Sequence, residues 1–271
     1  MVSSNEKLTQ MRHLQMNLSN RKNRLYFRPI IAIIIFIILW EVATYVFNIE
    51  TWILPAPSVI VVEMWEVFPT FFPHVTSTVK LVVIGFLLGT MIGLSTAILL
   101  YHSEKCRETF YPFLVLSQNI PIIVLAPLLM IWFGLGDLPK LTIIAMTSFF
   151  PITIATLSGF QQTDRELVHY MKMMGATKKQ MFTKLVFPHA LPSIFSGIKI
   201  SATYSMLTGV VAEWLGAQKG IGVFMTLASS SYRTPRVFVA IIITMILSLS
   251  FFGLIVLIER FVMKWNKEGQ Q

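Results

Sequence analysis

Six stretches of this chain are long and apolar enough to cross a lipid bilayer: about 29–48, 75–100, 112–133, 141–160, 193–215 and 237–258. A hydrocarbon core takes roughly 20 apolar residues per helix. No water is available inside it, so each crossing must satisfy its own backbone hydrogen bonds, and a helix is the structure that does so within one segment. The sequence therefore predicts an all-α integral membrane protein with six transmembrane helices. Composition agrees: 55% of the 271 residues are hydrophobic and 13% charged, too few charges to coat a water-facing globule. The first 28 residues are polar and basic and lack the short apolar core and cleavage site of a signal peptide, so the first span is expected to stay as an anchor.

Lys and Arg orient the spans, because basic residues stay on the cytoplasmic side. With the N-terminus inside, the inner segments hold Lys7, Arg12, Arg21, Lys22, Arg24 and Arg28; Lys105 and Arg107; Arg165, Lys172, Lys178, Lys179 and Lys184; and Arg260, Lys264 and Lys267. Only Lys140, Lys219, Arg233 and Arg236 fall outside, with Lys80 and Lys199 within spans. The expected organisation is a basic cytoplasmic arm over 1–28, a membrane domain over 29–258 with a cytoplasmic loop at 161–192, and a cytoplasmic tail over 259–271. Topology and anionic lipid account for the net charge of +9, and nucleic acid is not needed to explain it. One cysteine, Cys106, forms no internal disulfide, and no Cys/His spacing suits a metal.

Several span residues stand out. Gly85, Gly89 and Gly93 strip one helix face for close approach, either within the subunit or between subunits. Pro121 and Pro127, beside Gln118 and Asn119, predict a third span that is bent and sheltered by protein. In the outer segment Ser58 is placed to cap a short helix after Pro57, with Trp65 at the lipid–water boundary. Glu41 is a deep carboxylate to be paired internally. Lys80 and Lys199 lie near span ends and are expected to reach the interface. Glu213 lies at the outer end of the fifth span, with pathway and local structural roles both open. Ser201, Thr203, Tyr204, Ser205 and Thr208 add polar atoms along that span, explained as well by helix packing as by solute contact.

The polar loop is punctuated. Thr163 and Glu166 have capping-box spacing and predict a helix start. Leu167, Tyr170, Met171 and Met174 then fall at i, i+3, i+4 and i+7, one apolar stripe. Gly175 ends that helix in a left-handed turn. Thr177 and Gln180 repeat the capping pattern for a second helix, which Pro188 helps to end. Burying a Leu or Met is worth about 1.5–3 kcal/mol, so something covers the stripe. The residues alone leave two candidates: the inner lipid surface with the chain's own spans, or a cytoplasmic partner rimmed by Lys172, Lys178 and Lys179.

The run "MMGATKKQMFTKLVFPHALPSIFSGIKISA" resembles the cytoplasmic signature of permease subunits of bacterial ABC importers. Gly175, Ala176, Pro188, Ala190, Pro192 and Gly197 match it. One departure is clear: His169, Tyr170 and Met171 stand where the family often has Glu-Ala-Ala. "ILPAPSVIVVEMW", "VVAEWLGAQKGIGVFM" and "TPRVFVAIIIT" are similar to segments of the branch that imports nitrate, sulfonates, taurine and thiamine precursors, most of all to permeases for pyrimidine precursors of thiamine. The resemblance implies a type I importer fold with a cytoplasmic coupling helix-turn-helix, in the bacterial cytoplasmic membrane with both termini inside. It implies a pathway formed with a second copy of the chain, two ABC ATPase subunits docked at Leu167, Tyr170, Met171, Met174, Gly175, Ala176 and Thr177, and an extracytoplasmic solute-binding protein. It places Tyr204, Thr208 and Glu213 along the pathway.

No G-x-x-x-x-G-K-[ST] loop occurs, so ATP and Mg belong to the partner ATPase, and this chain is expected to bind no cofactor and to be no enzyme. A nucleophile with its base, or a set of metal ligands, on facing spans is not visible either. A self-sufficient secondary transporter is the other class in play; it would show internal repeats and ion-binding carboxylates at mid-membrane, where Glu41 is the one deep candidate.

Overall fold

The structure, a computed structural model, describes residues 28–263 and is helical throughout its regular elements. Helix α1 spans Arg28–Val46. It is followed by α2 (Pro57–His102), α3 (Glu104–Ser117), α4 (Ile122–Phe133), α5 (Asp137–Gln161), α6 (Arg165–Met173), α7 (Lys178–Met181), a π-helical segment (Phe182–Val186), α8 (Phe187–Glu213), α9 (Ile221–Ser230) and α10 (Thr234–Val262). The expected arm over 1–28 lies almost wholly outside the described residues, as does most of the tail over 259–271.

Helix α5 is the axis of the bundle, held between α2 and α8 by small residues on both sides. A methyl group added at Gly89 would stand 2.7 Å from Ser148 Cβ and still closer to the Ala145 carbonyl; one added at Gly85 would stand 2.8 Å from Ile144. On the α8 side, a methyl at Gly197 would lie 2.8 Å from Ala155 Cβ. Hydroxyls then bond across the close approach. Thr153 donates to the Gly93 carbonyl at 3.2 Å, Ser201 donates to the Ser148 carbonyl at 2.9 Å, and the Ser148 and Ser205 hydroxyls meet at 2.8 Å. The glycine stripe is thus spent on packing within the subunit, and Ser201 and Ser205 on helix–helix bonds.

Among the described residues, five helices are long and apolar enough to cross a membrane: α1, α2, α5, the stretch Lys178–Glu213, and α10. The remaining expected span is pieced from α3 and α4, interrupted at residues 118–121. Pro121 has no N–H to continue the ladder and disfavours helical backbone at Ile120, so α4 starts anew after an extended Pro121. Asn119 Nδ2 closes the last turn of α3 by donating to the Val115 carbonyl at 2.8 Å. Within one chain the break is exposed rather than sheltered.

Two details differ from the sequence reading. Helix α2 is not a short outer helix plus a span but one element of 46 residues, carried through Pro69 and Pro73. At 1.5 Å per residue it is about 69 Å long, more than twice the roughly 30 Å of a hydrocarbon core. Ser58 does not cap it with its side chain; instead its N–H and hydroxyl both donate to the Glu41 carboxylate, at 3.0 and 2.6 Å. Glu41 thereby caps α2 from the neighbouring helix, which is the internal pairing expected of it. Lys199 bonds both oxygens of Glu259, near the C-terminal end of α10, at 2.9 and 2.8 Å.

Candidate functional site

The loop between α5 and α8 folds as helix, tight turn, helix. The first cap is Asp164, whose carboxylate accepts from the Glu166 N–H at 2.8 Å, and the expected cap Thr163 is buried one residue earlier. Both residues are cap formers, and spacing alone favoured the wrong one. Gly175 turns left-handed at φ +76°, while the N–H groups of Gly175 and Ala176 bond back to the Lys172 and Met171 carbonyls at 3.0 Å each. Thr177 and Gln180 form the complete reciprocal capping box. Pro188 does not end the second helix. The five-residue π turn just before it leaves the chain helical from Lys178 to Glu213, the wider turn relieving the crowding a proline imposes on the preceding carbonyls.

The stripe is bare. Leu167 is 48% exposed, Tyr170 58% and Met174 71%, with Met171 and Ala176 half-buried beside Gly175. Met173, 80% exposed, extends the patch; it stands three residues after Tyr170 but is left out of a stripe counted from Leu167, where it is i+6. Thr177 spends its hydroxyl on the cap, so its part in this surface is to shape the turn. The base of the element is firmly mounted: the Phe182 ring lies 4.7 Å from His102, 5.3 Å from Phe160 and 5.7 Å from Tyr101. An apolar, uncovered tip thus stands on a packed aromatic base.

At the opposite end of the bundle, Glu213 is buried at 1% exposure. Thr78 donates to one carboxylate oxygen at 2.6 Å and the Gly222 N–H to the other at 2.7 Å. Thr78 in turn accepts from the Ile221 N–H at 2.8 Å, and the His74 ring lies 2.9 Å from the Gly220 carbonyl. Glu213 therefore caps α9 and ties it to α2 and α8. Of the three expected pathway residues it is the one enclosed by structure. Thr208 instead lines a cavity of about 410 Å³ with Gln118 and Thr147, and Tyr204 lines an adjoining groove against α10 that shares Leu207, Val211 and Trp214 with it. Tyr204 and Thr208 thus line neighbouring spaces one turn apart on α8, and Glu213 lines neither.

Glu213→Ala would orphan the buried Gly222 N–H and one Thr78 bond, at about 1–3 kcal/mol for each group left unpaired. Glu213→Gln should cost less, because Thr78 can turn its O–H to the His74 carbonyl, 3.1 Å away, and accept from the new amide. Thermal unfolding in detergent is expected to rank the parent above Gln and Gln above Ala.

Residues 85–264 match the family described as "Binding-protein-dependent transport system inner membrane component". Among curated proteins, the chain is similar to the formylaminopyrimidine transport permease protein ThiX of Halalkalibacterium halodurans, 32% identical over 241 residues, 89% of this chain and 96% of that one. It is also similar to the putative aliphatic sulfonates transport permease protein SsuC of Bacillus subtilis, 29% identical over 248 residues, 91% and 90% of the two chains. The riboflavin transport system permease protein RibX of Chloroflexus aurantiacus is 27% identical over 238 residues, 87% and 89% of the two. Among solved structures, one described as an amino acid ABC transporter with histidines shares the fold at a TM-score of 0.60 and 18% identity, over 73% of this chain and 97% of that one. The MetNI methionine ABC transporter in inward-facing form aligns at a TM-score of 0.54, over 66% and 91%.

Proposed function

The chain belongs to the family of binding-protein-dependent transport system inner membrane components, and from that premise we propose how this permease subunit of an ABC importer works. Two copies form the translocation pathway. Two ABC ATPases sit under the bundle, each taking one helix-turn-helix, and an extracytoplasmic binding protein delivers solute to the outer loops. Each copy crosses the membrane six times, the broken α3–α4 pair making the third crossing, with the loop over 161–192 and both termini in the cytoplasm. The chain itself binds no cofactor; ATP and Mg are used by the partner. Closure of the ATPases on ATP pushes the turn at Gly175 and rocks the two bundles between inward-open and outward-open states.

The observation that carries this reading is the bare stripe of Leu167, Tyr170 and Met174 on its aromatic base. The chain's own spans leave it uncovered, and its mounting suits an element that receives a push. The solute we propose is a pyrimidine precursor of thiamine, supported by 32% identity to a permease named for formylaminopyrimidine. Sulfonate, taurine or nitrate is the alternative within the same machinery.

Mass spectrometry of what co-purifies with the tagged chain in mild detergent tests the assembly. An ATPase with a phosphate-binding loop is expected in stoichiometric amount. Repeated recovery of the folded chain alone would return the stripe to the lipid surface and revive a self-sufficient transporter.

A further inference from the structure

The break between α3 and α4 opens on a cavity, and that cavity has unfinished polar chemistry. Irregular backbone persists at membrane depth where it is buried in protein or lines a polar cavity. Residues 118–121 lie beside a space of about 410 Å³ walled by α4, α5 and α8. That size falls within the range of small-molecule sites. Thr147 has spent its hydroxyl proton on the Ile143 carbonyl of its own helix. The Gln118 carboxamide and the Thr208 hydroxyl, which line the same space, bond to no other described residue. Trp214 adds a half-exposed indole to the wall. Among the described residues, no acidic, basic or histidine side chain lines the cavity.

Building on the transport reading above, we infer that this cavity is a solute station inside the permease for a neutral, planar nitrogen heterocycle. A primary carboxamide offers a donor and an acceptor side by side, the complement of the ring-nitrogen and amino edge of an aminopyrimidine. Thr208 supplies a second hydrogen bond, and Trp214 an aromatic face for stacking. The apolar remainder rewards a flat uncharged ring and penalises an ion. A sulfonate held here would lose its hydration and find no charge-assisted donor to replace it. Among the solutes for which relatives are named, the lining thus favours formylaminopyrimidine over aliphatic sulfonates.

The test is titration of the permease–ATPase complex in nanodiscs with formylaminopyrimidine, read by quenching of indole fluorescence against a Trp214→Phe background. Ethanesulfonate serves as the anionic probe. Quenching by the pyrimidine is expected to vanish with Trp214→Phe, and Gln118→Ala and Thr208→Val should each weaken binding by about three- to tenfold, the worth of one hydrogen bond. Thr208→Val keeps the side chain's shape, so its effect is separable from misfolding. Unchanged affinity in both variants, or tighter binding of ethanesulfonate, would overturn the inference. ATP-driven uptake by the complete complex in liposomes is scored separately. Uptake of the pyrimidine by the parent with no binding at this cavity sinks the station alone, whereas no uptake of either probe sinks the transport reading and the station with it.

Discussion

Gly175→Arg is expected to reach the membrane folded and to support less than about a tenth of parental ATP-driven uptake. A non-glycine residue in the left-handed region costs roughly 1–2 kcal/mol, and Gly175 sits at φ +76°. Nothing lies within 4 Å of a Cβ built there, so an added side chain meets no obstacle within the chain. The damage falls on the turn and on whatever seats against it, because a long cation then projects from the centre of the apolar patch. Gly175→Asn isolates the backbone component: asparagine tolerates this conformation and should keep most of the activity. Uptake in liposomes, co-purification of the ATPase and thermal unfolding together separate docking from folding. Parental uptake by the arginine variant would remove the turn from the docking surface.

The second large effect is on assembly of the bundle. Gly89→Val should prevent a stable chain from accumulating, whereas Gly253→Ala should be neutral or slightly stabilising. Overpacking a core costs typically about 1–3 kcal/mol, and at Gly89 the obstacles include the Ala145 backbone carbonyl, which cannot swing aside as a side-chain tip would. Helices α2 and α5 would have to separate along their shared length, weakening the Thr153–Gly93 bond one turn away. Gly253 on α10 has open space around it, and replacing a mid-helix glycine by alanine gains about 0.5–1 kcal/mol. Membrane yield and melting temperature in detergent report both. A melting curve for Gly89→Val that overlays the parent would mean that α2 and α5 are not in close contact.

What the sequence made legible was local in origin. The turn at Gly175, the capping box of Thr177 and Gln180, and the apolar stripe each depend on residues within one or two helical turns. Their spacing carries the physics, and each stands where spacing put it. The misreadings also have local causes. Thr163 and Asp164 are adjacent cap formers, and no pattern says which will be buried. Pro188 reads as a stop until the chain inserts a π turn ahead of it. What spacing could not supply were partners far along the chain. Glu213 meets Thr78 across 135 positions and Lys199 meets Glu259 across 60. Nothing in the run around either residue names its partner, so a buried cap and a pathway carboxylate look the same in one dimension. The station at Gln118 was half visible: the prolines flagged the break, but only the fold brings it opposite Thr208.

The continuous column from Lys178 to Glu213 has a mechanical meaning. With about 1.5 Å per residue over 36 residues, it is a rod of roughly 54 Å with no loop along its length. Beyond the π turn, a displacement entering at the capping box meets no loop before it reaches the buried carboxylate that holds α9. On the proposed topology the two faces of the membrane would be geared to one another through a single member. The compliant joint on it is the widened turn at Phe182–Val186, seated in its ring of aromatics, together with Pro192 less than two turns beyond, which has no N–H for the ladder. Stiffness beyond that joint would make opening on one side and closing on the other one stroke rather than two events in sequence.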